Sequence, residues 1–108
     1  YSANHGYTIR LRAEDVGGTA KVMGSFSPDG AVELYHAGIK TLETSLQDGK
    51  YGIYLSQSTT HILSAAGSPE GVVTANVGSI YLRNNGSAGT TLYVKESGNG
   101  TNTGWVGK

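Results

Sequence analysis

Ala31-Val32-Glu33-Leu34-Tyr35-His36-Ala37-Gly38-Ile39-Lys40-Thr41-Leu42-Glu43-Thr44 is the stretch whose reading decides the fold class. Val32 and Leu34 fall on one side of an extended chain, Ala37-Gly38 supplies a tight reversal, and Ile39 to Thr44 returns. The pattern is a β-hairpin with one apolar side. Outward from it, the same alternation recurs between turn signals about ten residues apart, and helical spacing is nowhere sustained. Upstream, Tyr7 to Ala13 reads as a strand with Ile9 and Leu11 inward and Thr8, Arg10 and Arg12 outward. Gly17-Gly18 reverses it into Lys21 to Phe26, and Ser27-Pro28-Asp29-Gly30 turns that strand into the hairpin.

Downstream, Asp48-Gly49 leads into Tyr51 to Leu55, with Tyr51, Ile53 and Leu55 on one face and Tyr54 on the other. From Ser56 to Asn76 the sequence is polar and glycine-bearing, with Ile62-Leu63 and Val72-Val73 as its apolar anchors, so an irregular connection is expected there. A module boundary near Gly67-Ser68-Pro69 divides the chain into residues 1–66 and 67–108. In the second module Ser79 to Arg83 and Thr90 to Glu96 predict a hairpin with Ile80, Leu82, Leu92 and Val94 inward and Tyr81, Arg83, Tyr93 and Lys95 outward. A turn-rich run from Ser97 to Gly104 delivers Trp105 and Val106. A lone tryptophan near the end is costly to leave in water, which predicts that Trp105 folds back onto the hairpin of Ile80 to Leu92 or onto a neighbouring chain.

Composition narrows the function. The 108 residues carry 17 glycines, 37% hydrophobic and 15% charged residues, material for turns and short strands around a thin core. Eight basic and eight acidic residues cancel, so no basic field exists to attract nucleic acid or an anionic membrane. No apolar run is long enough to span a bilayer, and the start shows no signal-peptide pattern, as expected of a piece of a longer protein. Without cysteine there are no disulfides or thiolate metal sites to reinforce a small core. One-sided hairpins leave an apolar face in water and a strand edge unpaired. Association with identical copies is the remaining way to cover them.

Two stretches carry a resemblance. Asp29-Gly30-Ala31-Val32-Glu33-Leu34-Tyr35-His36 followed by Ile39-Lys40-Thr41-Leu42-Glu43-Thr44 resembles a short hairpin module of bacteriophage tail fibres. Gly67-Ser68-Pro69-Glu70-Gly71-Val72-Val73-Thr74-Ala75, then Val77-Gly78-Ser79-Ile80-Tyr81-Leu82-Arg83, Thr90-Thr91-Leu92-Tyr93-Val94-Lys95-Glu96-Ser97-Gly98 and Gly104-Trp105, resembles a segment near the ends of tail fibres and tailspikes. The chain departs from that pattern at Asn76, where proline is more usual, and in a longer Asn99 to Thr103 loop. The resemblance implies an all-β, elongated and intertwined homotrimer, a structural and assembly segment that contributes to host-cell attachment alongside other phage tail proteins. It also implies a place in the virion tail after assembly in the bacterial host cytoplasm.

No enzymatic chemistry and no cofactor is expected. Asp29 and Asp48 precede glycines in turns, while Glu33 and Glu43 fall on opposite strands of one hairpin beside Lys40 as solvated partners, so no carboxylate pair suited to glycoside hydrolysis stands out. Serine lacks the GxSxG elbow. His5, His36 and His61 show no zinc spacing; a three-histidine site on a trimer axis is the alternative to a structural role, with His36 and His61 the better candidates. Asn85-Gly86-Ser87 and Asn99-Gly100-Thr101 match glycosylation sequons and read as turn chemistry. Tyr54, Tyr81, Tyr93 and Trp105 are the aromatics available either to pack between chains or to stack on sugars. The competing function is therefore a carbohydrate-binding module that recognises cell-surface glycans.

Overall fold

The structure is a computed structural model that describes residues 8–28, 30–55 and 60–108. Nine strands form one sheet in chain order: β1 (Ile9–Glu14), β2 (Ala20–Phe26), β3 (Val32–His36), β4 (Ile39–Gln47), β5 (Lys50–Leu55), β6 (Thr60–Ala65), β7 (Ile80–Arg83), β8 (Leu92–Lys95) and β9 (Trp105–Gly107). Every neighbouring pair is antiparallel except β6 and β7, which run parallel. A parallel pair needs a crossover longer than a hairpin turn. Residues 66–79 provide it, and they lie back over one face of the sheet as a strap.

Hairpin chemistry explains the meander. Ala37-Gly38 and Asp48-Gly49 both hold two successive positive φ angles, 50° and 83° in the first turn and 49° and 77° in the second. Those values fit two-residue turns whose twist matches that of the flanking strands. Met23 and Thr41 stand unpaired as bulges, because Leu11 and Arg12 oppose Gly24 and Val22 while Leu34 and Tyr35 oppose Leu42 and Lys40.

The sequence predicts most of these strands. The exceptions are β6, which lies inside the stretch expected to be irregular, and the short edge strand β9. Ile62 and Leu63 are adjacent, so they point to opposite faces and give no period-two signal. The expected first strand begins at Tyr7, outside the described residues, as do Asp29 of the predicted turn and residues 56–59. The module boundary at residue 67 falls in the strap; β6 and β7 pair across it from Ile62↔Ile80 to Ala65↔Arg83.

Two unlike faces result. On the first, cross-strand partners run Ile9↔Phe26, Phe26↔Val32, Thr44↔Ile53, Ile53↔Ile62, Ile62↔Ile80, Ile80↔Val94 and Val94↔Val106, with the Val32 N–H bonded to Thr44 Oγ1 at 3.0 Å. Residues that pair across strands share a face, so this row is apolar at every strand except β4. Leu34, Leu42 and Leu55 extend it on one side, and Leu46, Tyr51, Leu82 and Leu92 on the other. The opposite face carries Arg10, Ser25, Glu33 and Glu43 toward β1, then Tyr54, His61, Leu63, Tyr81, Tyr93, Lys95 and Trp105 toward β9. The strap covers the β9 half of this second face.

Candidate functional site

The buried core of the described residues is Leu63, Val73, Ala75, Tyr81, Tyr93 and Trp105. It lies between the strap and strands β6–β9. Tyr81 sits at its centre, edge-on to Tyr93 with centroids 6.3 Å apart and to Trp105 at 6.0 Å. The Tyr81 hydroxyl donates to Ala66 O, and burial pushes its pKa up. Trp105 is 5% exposed, and its indole Nε1 donates to Val73 O at 2.8 Å. The fold-back expected of Trp105 is thus made within the chain, onto Tyr81 and the strap.

This corrects the orientation of the second hairpin. Tyr81, Tyr93 and Lys95, expected outward, are buried, whereas Leu82 and Leu92, expected inward, are exposed. Strand alternation identifies which residues share a face but not which face the rest of the chain covers. Here the strap covers the tyrosine side. Tyr81 therefore packs against both Tyr93 and Trp105, and all three are buried within the single chain. Tyr54 is half-buried, stacked on His61 with centroids 4.0 Å apart.

Two charged side chains hold the last loop in place. Lys95, with no exposed surface, directs Nζ to the carbonyls of Ser97 and Gly98. Glu70, on the strap, accepts the Gly104 N–H at 3.2 Å and the Trp105 N–H at 2.8 Å. The loop is held by a cation at its start and an anion at its end. Asn102 and Gly71 exchange bonds at 2.7 and 3.1 Å, and Val77 N donates to Asn99 Oδ1. Ala75 and Thr101 form an isolated bridge, joined by Gly100 N to Ala75 O. The two departures from the fibre pattern, the strap at Asn76 and the long 99–103 loop, thus lie against each other. Asn85 and Asn99 serve these contacts, with Asn85 Oδ1 accepting from Gly67 N and Arg83 Nε.

Elsewhere charges pair on the surface. Lys40 Nζ lies 3.1 Å from Glu43 and 3.2 Å from Glu33, and these carboxylates, Glu43 foremost, raise its pKa. Asp15 is held below the usual carboxyl range by the Thr19 N–H and then by Lys21. Asp48 is lowered chiefly by the Thr74 N–H, 2.7 Å away on the strap. Of the histidines, His36 is exposed on β3, His61 is buried on β6 beside Tyr54, and His5 lies outside the described residues. Among the described residues no three His, Cys, Asp or Glu side chains gather where they could hold a metal ion, and no helix is long and apolar enough to cross a membrane. A cavity of about 550 Å³ opens where β4 outruns β3, lined by Pro28, Ala31, Glu43, Ser45, Tyr51 and Tyr54 among others.

Among the described residues the apolar face is left exposed at many positions. Leu46 and Tyr51 are 57% and 72% exposed there, and Ile9, Leu11, Phe26, Leu34, Leu55, Leu82, Leu92 and Val106 are also exposed. Comparison with family models, with curated proteins and with solved structures finds no match.

Proposed function

We propose that this chain is a non-enzymatic structural and assembly segment of a bacteriophage tail fibre or tailspike, working as a homotrimer in the host-attachment apparatus of the virion. The fibre assignment rests on the resemblance of residues 29–44 and 67–105. The observation that supports a need for partners is the apolar face, which among the described residues runs from β1 to β9 with Thr44 on β4 as the polar member of its central row. Contiguous apolar surface on this scale marks an interface. The accessible surface of 6579 Å² exceeds the roughly 5,700 Å² of a compact monomer of this length. The radius of gyration, 16.9 Å, exceeds the expected ~13 Å in the same sense. The surplus surface suits a sheet that closes against copies of itself. Three copies with their apolar faces inward would place the straps and the Glu33–Lys40–Glu43 cluster on the outside.

Sedimentation of the fragment over a hundredfold concentration range tests the reading. A trimer that persists on dilution is expected, and a folded, soluble monomer at every concentration would defeat it. The second reading, a glycan-binding module, has the 550 Å³ cavity with Tyr51 and Tyr54 at its wall in its favour. It requires glycan binding that Tyr54→Ala abolishes.

A further inference from the structure

His61 is 1% exposed, and neither ring nitrogen has a hydrogen-bond partner. The ring lies against Tyr54 of β5, with centroids 4.0 Å apart and the planes tilted by 41°. Its own N–H donates to Ser79 Oγ at 3.0 Å, at the end of the strap where β7 begins. The strap is fastened a second time by Thr74 N, which donates to Asp48 Oδ2 in the β4–β5 turn. We propose that His61 is an acid-sensitive clasp: a proton on its ring forces the strap between Thr74 and Ser79 off the sheet. This inference is independent of the fibre reading.

The argument is one of desolvation. A neutral imidazole can stay buried with unmet nitrogens at moderate cost, but an imidazolium needs water or an acceptor for both N–H groups. Among the described residues, no side chain or backbone group accepts a hydrogen bond from either His61 ring nitrogen. β5 presents the Tyr54 ring, and the strap presents the Ser79 hydroxyl, already engaged by the His61 amide. One strand further on each side stand Glu43, tied to Lys40, and the cationic Lys95. Asp48 is the one anion that favours the charged ring, and its effect is smaller than that of burial. Protonation is met by opening.

The sign follows from linkage. Burial holds the closed-state pKa of His61 below 6.5, so the open state binds the proton better. Closure is therefore fully favoured above pH 6.5 and lost as pH falls below it toward the closed-state value. At pH 5.0 protonation of the open state favours opening by up to about 30-fold over neutral pH. Asp15 and Asp48 are depressed from 3.8, so their contributions are lost only at still lower pH and do not enter this window.

Amide exchange of the intact chain, corrected for intrinsic rates, should show the His61 and Thr74 amides losing tenfold or more of their protection between pH 7.5 and 5.0. His61→Phe, which keeps the stack on Tyr54 without a titrating nitrogen, should hold its protection across the range. An equal loss in His61→Phe would overturn the clasp. If that variant does not fold, the wild-type ring resonances decide: His61 titrating at the ordinary 6.5, with Thr74 protection unchanged, would equally overturn it.

Discussion

Ala37 occupies a backbone position that its side chain disfavours. With φ at 50° it sits in the left-handed region, where an L-residue with a Cβ bears roughly 1–2 kcal/mol of strain and where asparagine is better tolerated. Ala37→Asn should therefore stabilise the chain by about 0.5–1 kcal/mol, read as a higher melting temperature. Gly52 is the opposite case. A Cβ there would meet Ile62 O at 2.0 Å and Leu63 Cδ2 at 2.8 Å, so the strand can approach β6 only with no side chain at all. Gly52→Ala should lower the melting temperature by several degrees at least, and an unchanged value would show that β5 and β6 lie further apart. Lys95 is set by chemistry more than by space. Lys95→Met keeps the apolar stem but takes the Nζ donor from both carbonyls, so that Gly98 O keeps only its bonds from Thr101 and Ser97 O loses its side-chain donor, at a cost of about 1–3 kcal/mol. Thermal unfolding followed by Trp105 fluorescence would report that loss.

At the level of elements, the strap and the last loop form one unit, because Glu70, Asn99, Asn102 and Trp105 bond across from one to the other. Trp105→Ala removes both the ring packed on Tyr81 and the donor to Val73 O, and large-to-small changes of this kind cost about 3–5 kcal/mol. The expected result is loss of protection in residues 66–79 with β1–β4 unaffected, and calorimetry or exchange by segment would show it. These elements also mark the limit of what the sequence conveys. Strands with alternating patterns and glycine turns were legible, as were the residues that share each face: Ile9 with Leu11, Val32 with Leu34, Ile80 with Leu82. Strand β6 was hidden because its two apolar residues are adjacent, and with it the burial of His61, which the sequence offers only as a candidate for a trimer-axis metal site. The burial of Tyr81 and Lys95 was not legible either, since it depends on residues 66–79 crossing one face and not the other. A parallel β6–β7 pair was the missing clue, and pairing between strands fifteen residues apart leaves no local period.

For the whole molecule, the apolar face separates the assembled chain from the isolated one. Leu34 lies on that face, opposite Leu42, and is 46% exposed in a single chain. Were the chain to function alone, Leu34→Asp would place a carboxylate in water at the cost of a partly buried leucine, an effect near the ±0.5 kcal/mol of ordinary surface changes. With three copies facing inward, the same carboxylate enters a shared apolar core without a partner. An unpaired buried charge costs several kcal/mol, and an aspartate in each chain repeats the cost three times. Leu34→Asp should therefore abolish soluble trimer while leaving the strap core, which lies on the other face and at the other end of the sheet, able to form. Leu82→Asp makes the same test beside that core, where Trp105 emission reports local folding directly. Glu33→Gln, on the opposite face and paired only with Lys40 at the surface, is the control and should assemble as the wild type does. Sedimentation of the three variants, read with Trp105 emission, distinguishes the cases. Aspartate variants that sediment and fold like the wild type would mean that the apolar face meets solvent in the working molecule.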